Sequence, residues 1–170
     1  MITLTSADAV CKAWLYRLLV SIVDNSKLQN LYFKGGTAAA MAGHLDRSSV
    51  DLDFDYLGEK GDIEAIRQEL KKVFKDLGLK IKDESAKVPQ FFLKYPTNKT
   101  NARNTLKVDI TFPAPLSNKY EAVRSNDIER IVICQDVSTM FANKLVAIID
   151  RFVRHGSLAG RDIYDIHHFF

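Results

Sequence analysis

Three acidic side chains and a glycine pair are the residues of this chain whose types and spacing could do chemistry. Asp51 and Asp53 lie two residues apart in an apolar run. On a β-strand both carboxylates would point to one face, about 7 Å apart along the chain. Asp109 is an acid inside another apolar run, where a charge is costly unless it is paired or binds metal. Three such carboxylates would suit Mg²⁺ or Mn²⁺ ions that polarise a triphosphate.

The glycine pair is Gly35-Gly36, which follows Lys34 and precedes Thr37. Glycine adopts backbone angles closed to other residues and has no side chain, so a polyanion can approach the amides, and Thr37 adds a hydroxyl donor. A lone glycine pair would be an ordinary strand-to-helix turn, but the downstream acids favour a phosphate cradle. Neither GxxxxGK(S/T) nor GxGxxG occurs, so a P-loop kinase and a dinucleotide-binding dehydrogenase lose their main support.

The elements that must position these residues follow from hydrophobic periodicity. Helical spacing or composition predicts helices over 6–24, 37–43, 63–77 and 138–153, and a last one from about Arg161. Strands are predicted over 31–34, 50–57, 79–82, 90–95, 106–112 and 128–134, with a hairpin loop over 96–104. We expect an α/β (α+β) fold, in which helices flank a mixed sheet of about six strands.

Length and composition predict one domain over 1–170, with residues 136–170 forming C-terminal helices packed on it. A chain of 170 residues with 46% hydrophobic residues can bury one good core. No signal peptide or membrane span is recognisable, so a cytoplasmic protein without a membrane partner is expected. A net charge of +3 does not demand a nucleic-acid partner. The basic excess at Lys94, Lys99, Arg103 and Lys107 favours a solvated loop over a phosphate-contacting surface.

Five segments occur in a fixed order along the chain. They are Lys34 to Thr37, Arg47 to Phe54 with Ser49, Leu106 to Ile110, Ala142 to Ala147 with Arg151, and Gly160 to Asp165. They look like the KGGT, RxSxDLDF, third acidic strand, NKLxAL…R and RDLYD elements of the AbiEii-type nucleotidyltransferases. These are toxins of type IV toxin-antitoxin and abortive-infection systems within the DNA polymerase beta-like superfamily, and the resemblance covers most of the chain.

The resemblance implies the nucleotidyltransferase fold and transfer of a nucleotide from an NTP to a hydroxyl of an RNA, such as tRNA, or of a protein. It also implies a cognate antitoxin. Asp51, Asp53 and Asp109 would hold the metal and act in catalysis with Lys144 and Asp162. The nucleotide would be bound by Gly35, Gly36, Thr37, Arg47, Ser49, Lys144 and Arg151.

Several alternatives stay open at this level. Lys144 and Arg151 are two turns apart on a predicted helix and would otherwise be a solvated basic stripe. Asp162 or Asp165 could position Lys144 or act as a base, and the resemblance favours Asp162. Otherwise Arg161 with Asp165 would be an ordinary helix-surface pair. Asp53 and Asp55 repeat the spacing of the first acid pair, and only the family pattern chooses the earlier one.

Two further functions compete with the leading one. Family members generally continue beyond the RDLYD element, whereas this chain ends at Phe170, so the acceptor-binding part is expected to be reduced or absent. The main alternative is therefore a catalytically reduced nucleotide-binding or interaction module of the same fold. A weaker one is an antibiotic-modifying nucleotidyltransferase, which would not be expected to carry the segment RDIYD.

Overall fold

Helices and strands alternate along the chain in the computed structural model, which describes residues 6–47, 49–97 and 104–169. The α-helices are α1 (Ser6–Val23), α2 (Gly35–Met41), α3 (Ile63–Asp76), α4 (Val137–His155) and α5 (Gly160–His168). The strands are β1 (Leu31–Lys34), β2 (Asp51–Tyr56), β3 (Lys80–Glu84), β4 (Gln90–Lys94), β5 (Thr105–Thr111), β6 (Tyr120–Ser125) and β7 (Arg130–Gln135). Short 3₁₀ turns cover Ser26–Leu28 and Lys60–Asp62. The expected mixed α/β architecture is confirmed.

The sheet has seven strands in the order β3-β4-β5-β2-β1-β7-β6, so the expected number of six is wrong. The missed strand is β6, at the edge of the sheet, where it pairs with β7 alone. Only Ser125 of this strand is buried. An edge strand with so little burial has no hydrophobic alternation by which its sequence could be recognised.

Strand β2 lies in the middle of the sheet and brings the acids together. It is antiparallel to β1 and parallel to β5, and the register places Asp53 beside Lys34 on one side and beside Asp109 on the other. The predicted strand from 50 to 57 is thus found over Asp51–Tyr56. The hypothesis that the three aspartates occupy neighbouring strands of one sheet is confirmed.

The main core lies on the face of the sheet opposite the acids. Leu52 and Phe54 alternate with Asp51 and Asp53 and are almost fully buried. Helix α3 contributes to this core by edge contact of the Phe74 ring with the ring of Phe91 on β4, 5.1 Å between centroids. Burying each such side chain contributes roughly 1.5–3 kcal/mol, so this face holds β2 and β5 firmly in register.

Helix ends differ in detail from the sequence-based expectations. The predicted stop of α3 at Gly78 is confirmed by its left-handed φ of 71°. Ser138 is wrong as the N-cap of α4, because the carboxylate of Asp136 accepts the Thr139 amide. Helix α2 begins at Gly35 rather than at Thr37.

The remaining sequence expectations concern surfaces. Within the described ranges, no helix combines the length and the apolar character that crossing a bilayer requires. Two members of the basic excess, Lys99 and Arg103, and most of the loop over 96–104 lie outside the described residues.

Candidate active site

The carboxyl group of Asp53, on β2, has a raised pKa. Burial, the largest effect, and the negative charges of Asp51 and Asp109 together raise its pKa to about 6, although the cations of Lys107 and Lys34 act in the opposite direction. This carboxyl group therefore keeps its proton up to about pH 6, and a bound cation would favour its ionised form. Desolvated acids beside like charges are typical of functional sites.

Asp109 is held by two neighbours on its own side of the sheet. Its Oδ2 accepts from Nζ of Lys107 at 2.6 Å and from Nε2 of Gln90 at 2.8 Å. The side chain is only about a quarter exposed. Desolvation is the largest single effect and lowers the pKa of Lys107, but the hydrogen bond to Asp109 and the nearby aspartate charges together outweigh it and leave a net rise. These contacts fix the orientation of the Asp109 carboxylate.

The glycine turn and the acidic strand touch at one point. Gly35 has φ of +80°, and a Cβ built on it would lie 2.4 Å from Oδ2 of Asp53. No side chain can therefore stand at Gly35 without displacing the acid. At Gly36, a Cβ would lie 3.0 Å from Nη2 of Arg47 and 3.6 Å from Oγ of Ser49. Gly35 is thus required by close approach, whereas a Cβ at Gly36 would need only a small shift of the Arg47 side chain. The turn places its backbone directly beside the Asp53 carboxylate.

Two cavities flank α2, and the predicted nucleotide-binding residues other than Arg151, which lines neither, divide between them. The first, of about 250 Å³, is lined by Gly35, Gly36, Asp53 and Lys144, and also by Lys34, Asn118, Gln135, Asn143 and apolar residues. The second, of about 240 Å³, is lined by Thr37, Arg47 and Ser49 together with Lys12 and residues of α1. The Thr37 hydroxyl donates to the carbonyl of Asp51 at 2.6 Å, so it ties α2 to the acidic strand.

Helix α5 supplies two buried acids that collect three cations from distant parts of the chain. Asp165, fully buried, accepts from Nε and Nη2 of Arg47 at 2.5 and 2.6 Å and pairs with Nζ of Lys144 at 2.7 Å. Asp162 forms an ion pair with Arg151 and lies 3.7 Å from Lys144. The alternative of a surface pair between Arg161 and Asp165 is wrong, because Asp165 is buried and bonded to other partners.

These ion pairs determine the charge state of Asp165. Burial is the largest single effect and would raise its pKa, but the hydrogen bonds and positive charges of Arg47 and Lys144 together outweigh burial and hold that pKa below its usual value. The same bonds raise the pKa of Arg47. The prediction that Lys144 and Arg151 share one helix face is confirmed, since both reach Asp162. Lys144 alone of the three cations lines the first cavity.

The environment of Asp55 decides between the two acid pairs of β2, Asp51 with Asp53 and Asp53 with Asp55. Its carboxylate is fully buried and accepts from Nζ of Lys34 at 2.7 Å, among other donors. Asp55 is thus committed to internal hydrogen bonds, and Asp51 and Asp53 stand nearer the glycine turn. Sequence reasoning did not choose Lys34, Asp55 or Asp165 as site residues, although it weighed Asp55 and Asp165 as alternatives to the acids it chose.

Acidic groups near Asp53 do not form a ready-made ligand set. In the described part of the chain, no three His, Cys, Asp or Glu side chains are gathered so as to hold a metal ion. Asp51 and Asp109 are nevertheless near enough to raise the pKa of Asp53. The site therefore presents a concentrated negative charge beside a glycine turn and a lysine, an arrangement suited to a cation bound together with a polyphosphate.

Solved structures with a similar fold define the class of protein. The protein JHP933 from Helicobacter pylori matches with a TM-score of 0.68 and 23% identity over 97% of this chain and 66% of that one. The antibiotic-resistance factor ANT(2'')-Ia matches with a TM-score of 0.58 and 18% identity, over 92% of this chain and 83% of that one. An antigenic nucleotidyltransferase-like protein from Paracoccidioides brasiliensis matches with a TM-score of 0.60 and 15% identity, over 92% of this chain and 76% of that one. The chain has the nucleotidyltransferase fold.

The family is established by the sequence match. The model of the family described as "Nucleotidyl transferase AbiEii toxin, Type IV TA system" matches residues 17–170, which is nearly the whole chain. The chain belongs to the AbiEii nucleotidyltransferase toxin family, as the five ordered segments indicated. It spans just under two thirds of the length of the Helicobacter JHP933 protein. No curated protein matches it significantly.

Proposed function

We propose that this chain is a metal-dependent nucleotidyltransferase that transfers a nucleotide from an NTP to an acceptor hydroxyl. The observation that carries the proposal is the contact between Gly35 and Asp53. It joins a backbone able to receive phosphate to a desolvated carboxylate at the wall of one cavity. Lys144 faces the same cavity and would offset the charge of the triphosphate.

The residues present fit a divalent cation. Asp53 carries a raised pKa because it is buried beside two other acids, and a bound cation would remove that penalty. Asp51 and Asp53 would hold Mg²⁺ or Mn²⁺, with Asp109 completing the set. When bound, the ion polarises the phosphate and offsets the negative charge that develops on it.

The transfer step is a displacement at the α-phosphorus. The acceptor oxygen forms a bond to that phosphorus, the bond to the β-phosphate oxygen breaks, and pyrophosphate leaves. Asp109, oriented by Lys107 and Gln90, accepts the proton of the acceptor hydroxyl. The amides of Gly35 and Gly36 and the ammonium of Lys144 hold the departing phosphates.

In this proposal, the other predicted residues do not contact the reacting atoms but position the residues that do. Arg47 and Arg151 are tied to Asp165 and Asp162, respectively, so they fix α5 and the Lys144 ammonium in place. We assign Asp162 a positioning role, because it is buried and ion-paired with Arg151. Ser49 and Thr37 shape the turn from the second cavity.

The biological setting of the proposal comes from the family. A type IV toxin acting on RNA, including tRNA, or on a protein would be restrained by a cognate antitoxin. The reaction would take place in the cytoplasm, where NTPs and these acceptors occur together.

An assay of label transfer tests the proposal. The purified protein is incubated with α-labelled NTPs, Mg²⁺ and total cellular RNA or protein, with EDTA as the metal-free control. We expect label on a macromolecule only with Mg²⁺, and its loss in Asp51→Asn. Asp76→Asn, an exposed acid at the end of α3, is the matched control and should behave as the wild type. Labelling that persists in Asp51→Asn would contradict the proposed mechanism.

A catalytically reduced nucleotide-binding module is the second candidate. The observation that favours it is the engagement of Asp109 by Lys107 and Gln90, which leaves this acid less free to take a proton. The module would bind NTP with Mg²⁺ through Asp53 and give no labelled product with any acceptor. The same assay, combined with equilibrium NTP binding, separates the two functions.

A further inference from the structure

A buried carboxylate anchors two side-chain amides at the wall of the first cavity. Oδ2 of Asp55 accepts from Nδ2 of Asn118 at 2.7 Å and from Nε2 of Gln135 at 2.6 Å. The Tyr120 hydroxyl donates to the same oxygen at 2.9 Å, and Lys34 neutralises the acid from the other side. Asp55 is fully buried and Gln135 is 2% exposed, so the two amides have little freedom to rotate.

The chemistry of the groups fixes which end of each amide faces Asp55. A carboxylate only accepts hydrogen bonds, so Asn118 and Gln135 must present their nitrogens to it. Their oxygens then point to Asn143, whose Nδ2 donates to Oδ1 of Asn118 at 3.2 Å and to Oε1 of Gln135 at 3.3 Å. The nitrogen of Asn143 is thereby used, and its oxygen is left as the acceptor end. Both N–H groups of Asn143 are engaged, whereas Asn118 and Gln135 each give one N–H to Asp55. The oxygens of all three amides keep a lone pair for a ligand.

This amide trio lies in the cavity that the proposed function uses. Asn118, Gln135 and Asn143 line the same 250 Å³ space as Gly36 and Asp53. Asp55 is two residues beyond Asp53 on β2, about 7 Å by the rise of a strand. That separation is on the scale of the distance from an α-phosphate to the sugar and base of its nucleoside. The remaining wall includes Pro115, Met140, Ala147 and Phe169, which suit the apolar faces of a sugar and a base.

We propose that Asn118, Gln135 and Asn143 form the nucleoside-recognition wall of this site and select NTPs by hydrogen-bond donors. Each amide oxygen has a second lone pair available to a ligand. The donor is a ribose hydroxyl or an exocyclic amino group of the base, because keto oxygens cannot donate. This inference rests on the proposed function and adds that the cavity recognises the nucleoside part of the NTP.

Calorimetric NTP binding in Mg²⁺ tests the wall with pairs of ligands that differ in one donor. CTP against UTP and ATP against ITP exchange an amino group for a keto group, and each NTP against its 2′-deoxy form removes a hydroxyl. The wild type should favour the donor-bearing member of at least one pair by about tenfold, the scale of one well-placed hydrogen bond. The pair that shows the preference identifies the sugar or the base as the group recognised.

Two variants and a control make the assignment specific. Asn143→Ala and Asn118→Ala should reduce the preference to within about twofold, the loss expected when one neutral hydrogen bond is removed. Asn30→Ala should keep it, since this residue precedes β1 at the end of the strand away from the glycine turn. Thermal unfolding of each variant shows whether it folds.

Three results would overturn the inference. A wild type that binds all members of the pairs equally contradicts it without any variant. Folded Asn143→Ala and Asn118→Ala proteins that keep the wild-type preference contradict it as well. In both cases, Mg²⁺-dependent binding lost in Asp53→Asn would leave the proposed function standing. A wild type that binds no NTP would overturn the proposed function, and this inference with it.

Discussion

The ammonium group of Lys144 lies 2.7 Å from Oδ2 of Asp165, a fully buried acid on the last helix. The same carboxylate binds Arg47 through both of its oxygens. Lys144 of α4, which lines the same cavity as the glycine turn, is thus held in place by α5. Arg47, in the segment before β2, is bound to the same carboxylate. The C-terminal helix therefore belongs to the structure of the site.

Asp165→Asn should destabilise the protein by about 3 kcal/mol, because it leaves two partly buried cations without their counter-charge. NTP affinity should fall as well, since Lys144 loses the group that orients it. Urea denaturation and equilibrium NTP binding measure the two effects. Asp150→Asn, which removes an exposed helix pair with Arg154, should change stability by less than about 1 kcal/mol.

The pH dependence of that variant has a defined sign. The pKa of Asp165 is below its usual value in the folded protein, so its contribution is present above about pH 4, the ordinary value in an unfolded chain. The contribution is lost as the pH falls through the folded pKa. Wild-type and Asp165→Asn stabilities should therefore approach each other in acid. A difference that stays constant down to pH 2 would contradict the ion-pair account.

Gly35→Ala should reduce both stability and NTP binding. The methyl group would meet Oδ2 of Asp53 at 2.4 Å, and the residue would be strained at φ of +80°. We expect a loss on the order of 1–3 kcal/mol from the backbone strain alone. Gly61→Ala is the matched control, because a Cβ there meets nothing within 4 Å. Equal stability of the two variants in thermal unfolding would show that the close approach is wrong.

Asp53→Asn should stabilise the metal-free protein at neutral pH. The folded pKa of Asp53 is about 6, above the unfolded value of about 4, so wild-type stability falls as the pH rises between these values. The neutral amide avoids this loss, which is on the order of 2 kcal/mol above pH 6 and vanishes below about pH 4. Urea titrations in EDTA from pH 4 to 8 measure the difference.

Added Mg²⁺ should reverse that ranking. Wild-type protein gains stability from binding the ion in proportion to its occupancy, whereas Asp53→Asn has lost a ligand and should gain little. Thermal unfolding with and without Mg²⁺ measures the gain, with Asp76→Asn as the acid-to-amide control. An equal Mg²⁺ shift in wild type and Asp53→Asn would exclude this carboxylate as a ligand.

Local patterns were enough to predict most of the fold and to place the acids of the candidate site on neighbouring strands. The strict alternation around Asp51 and Asp53 predicted β2, and an acid in an apolar run predicted the position of Asp109. Edge strand β6 could not be predicted, because a strand that buries one side chain has no hydrophobic signature. That residues 1–170 form a single domain, and that the acids bind metal, remain predictions.

Long-range pairing was beyond the sequence patterns. Arg47 and Asp165 are 118 residues apart, and nothing in either segment indicates that they meet. Sequence reasoning placed Asp162 in the site and left Asp165 as an alternative, since both lie in the same helical segment. In the structure Asp165 makes the closer contact with Lys144, at 2.7 Å against 3.7 Å for Asp162.

The most direct test of the central claim is a crystal structure with Mg²⁺ and a non-hydrolysable NTP. The account predicts an ion bound by Asp51 and Asp53, phosphates on the amides of Gly35 and Gly36, and the α-phosphate facing Asp109. A triphosphate bound in the second cavity, or an ion that avoids Asp53, would contradict it.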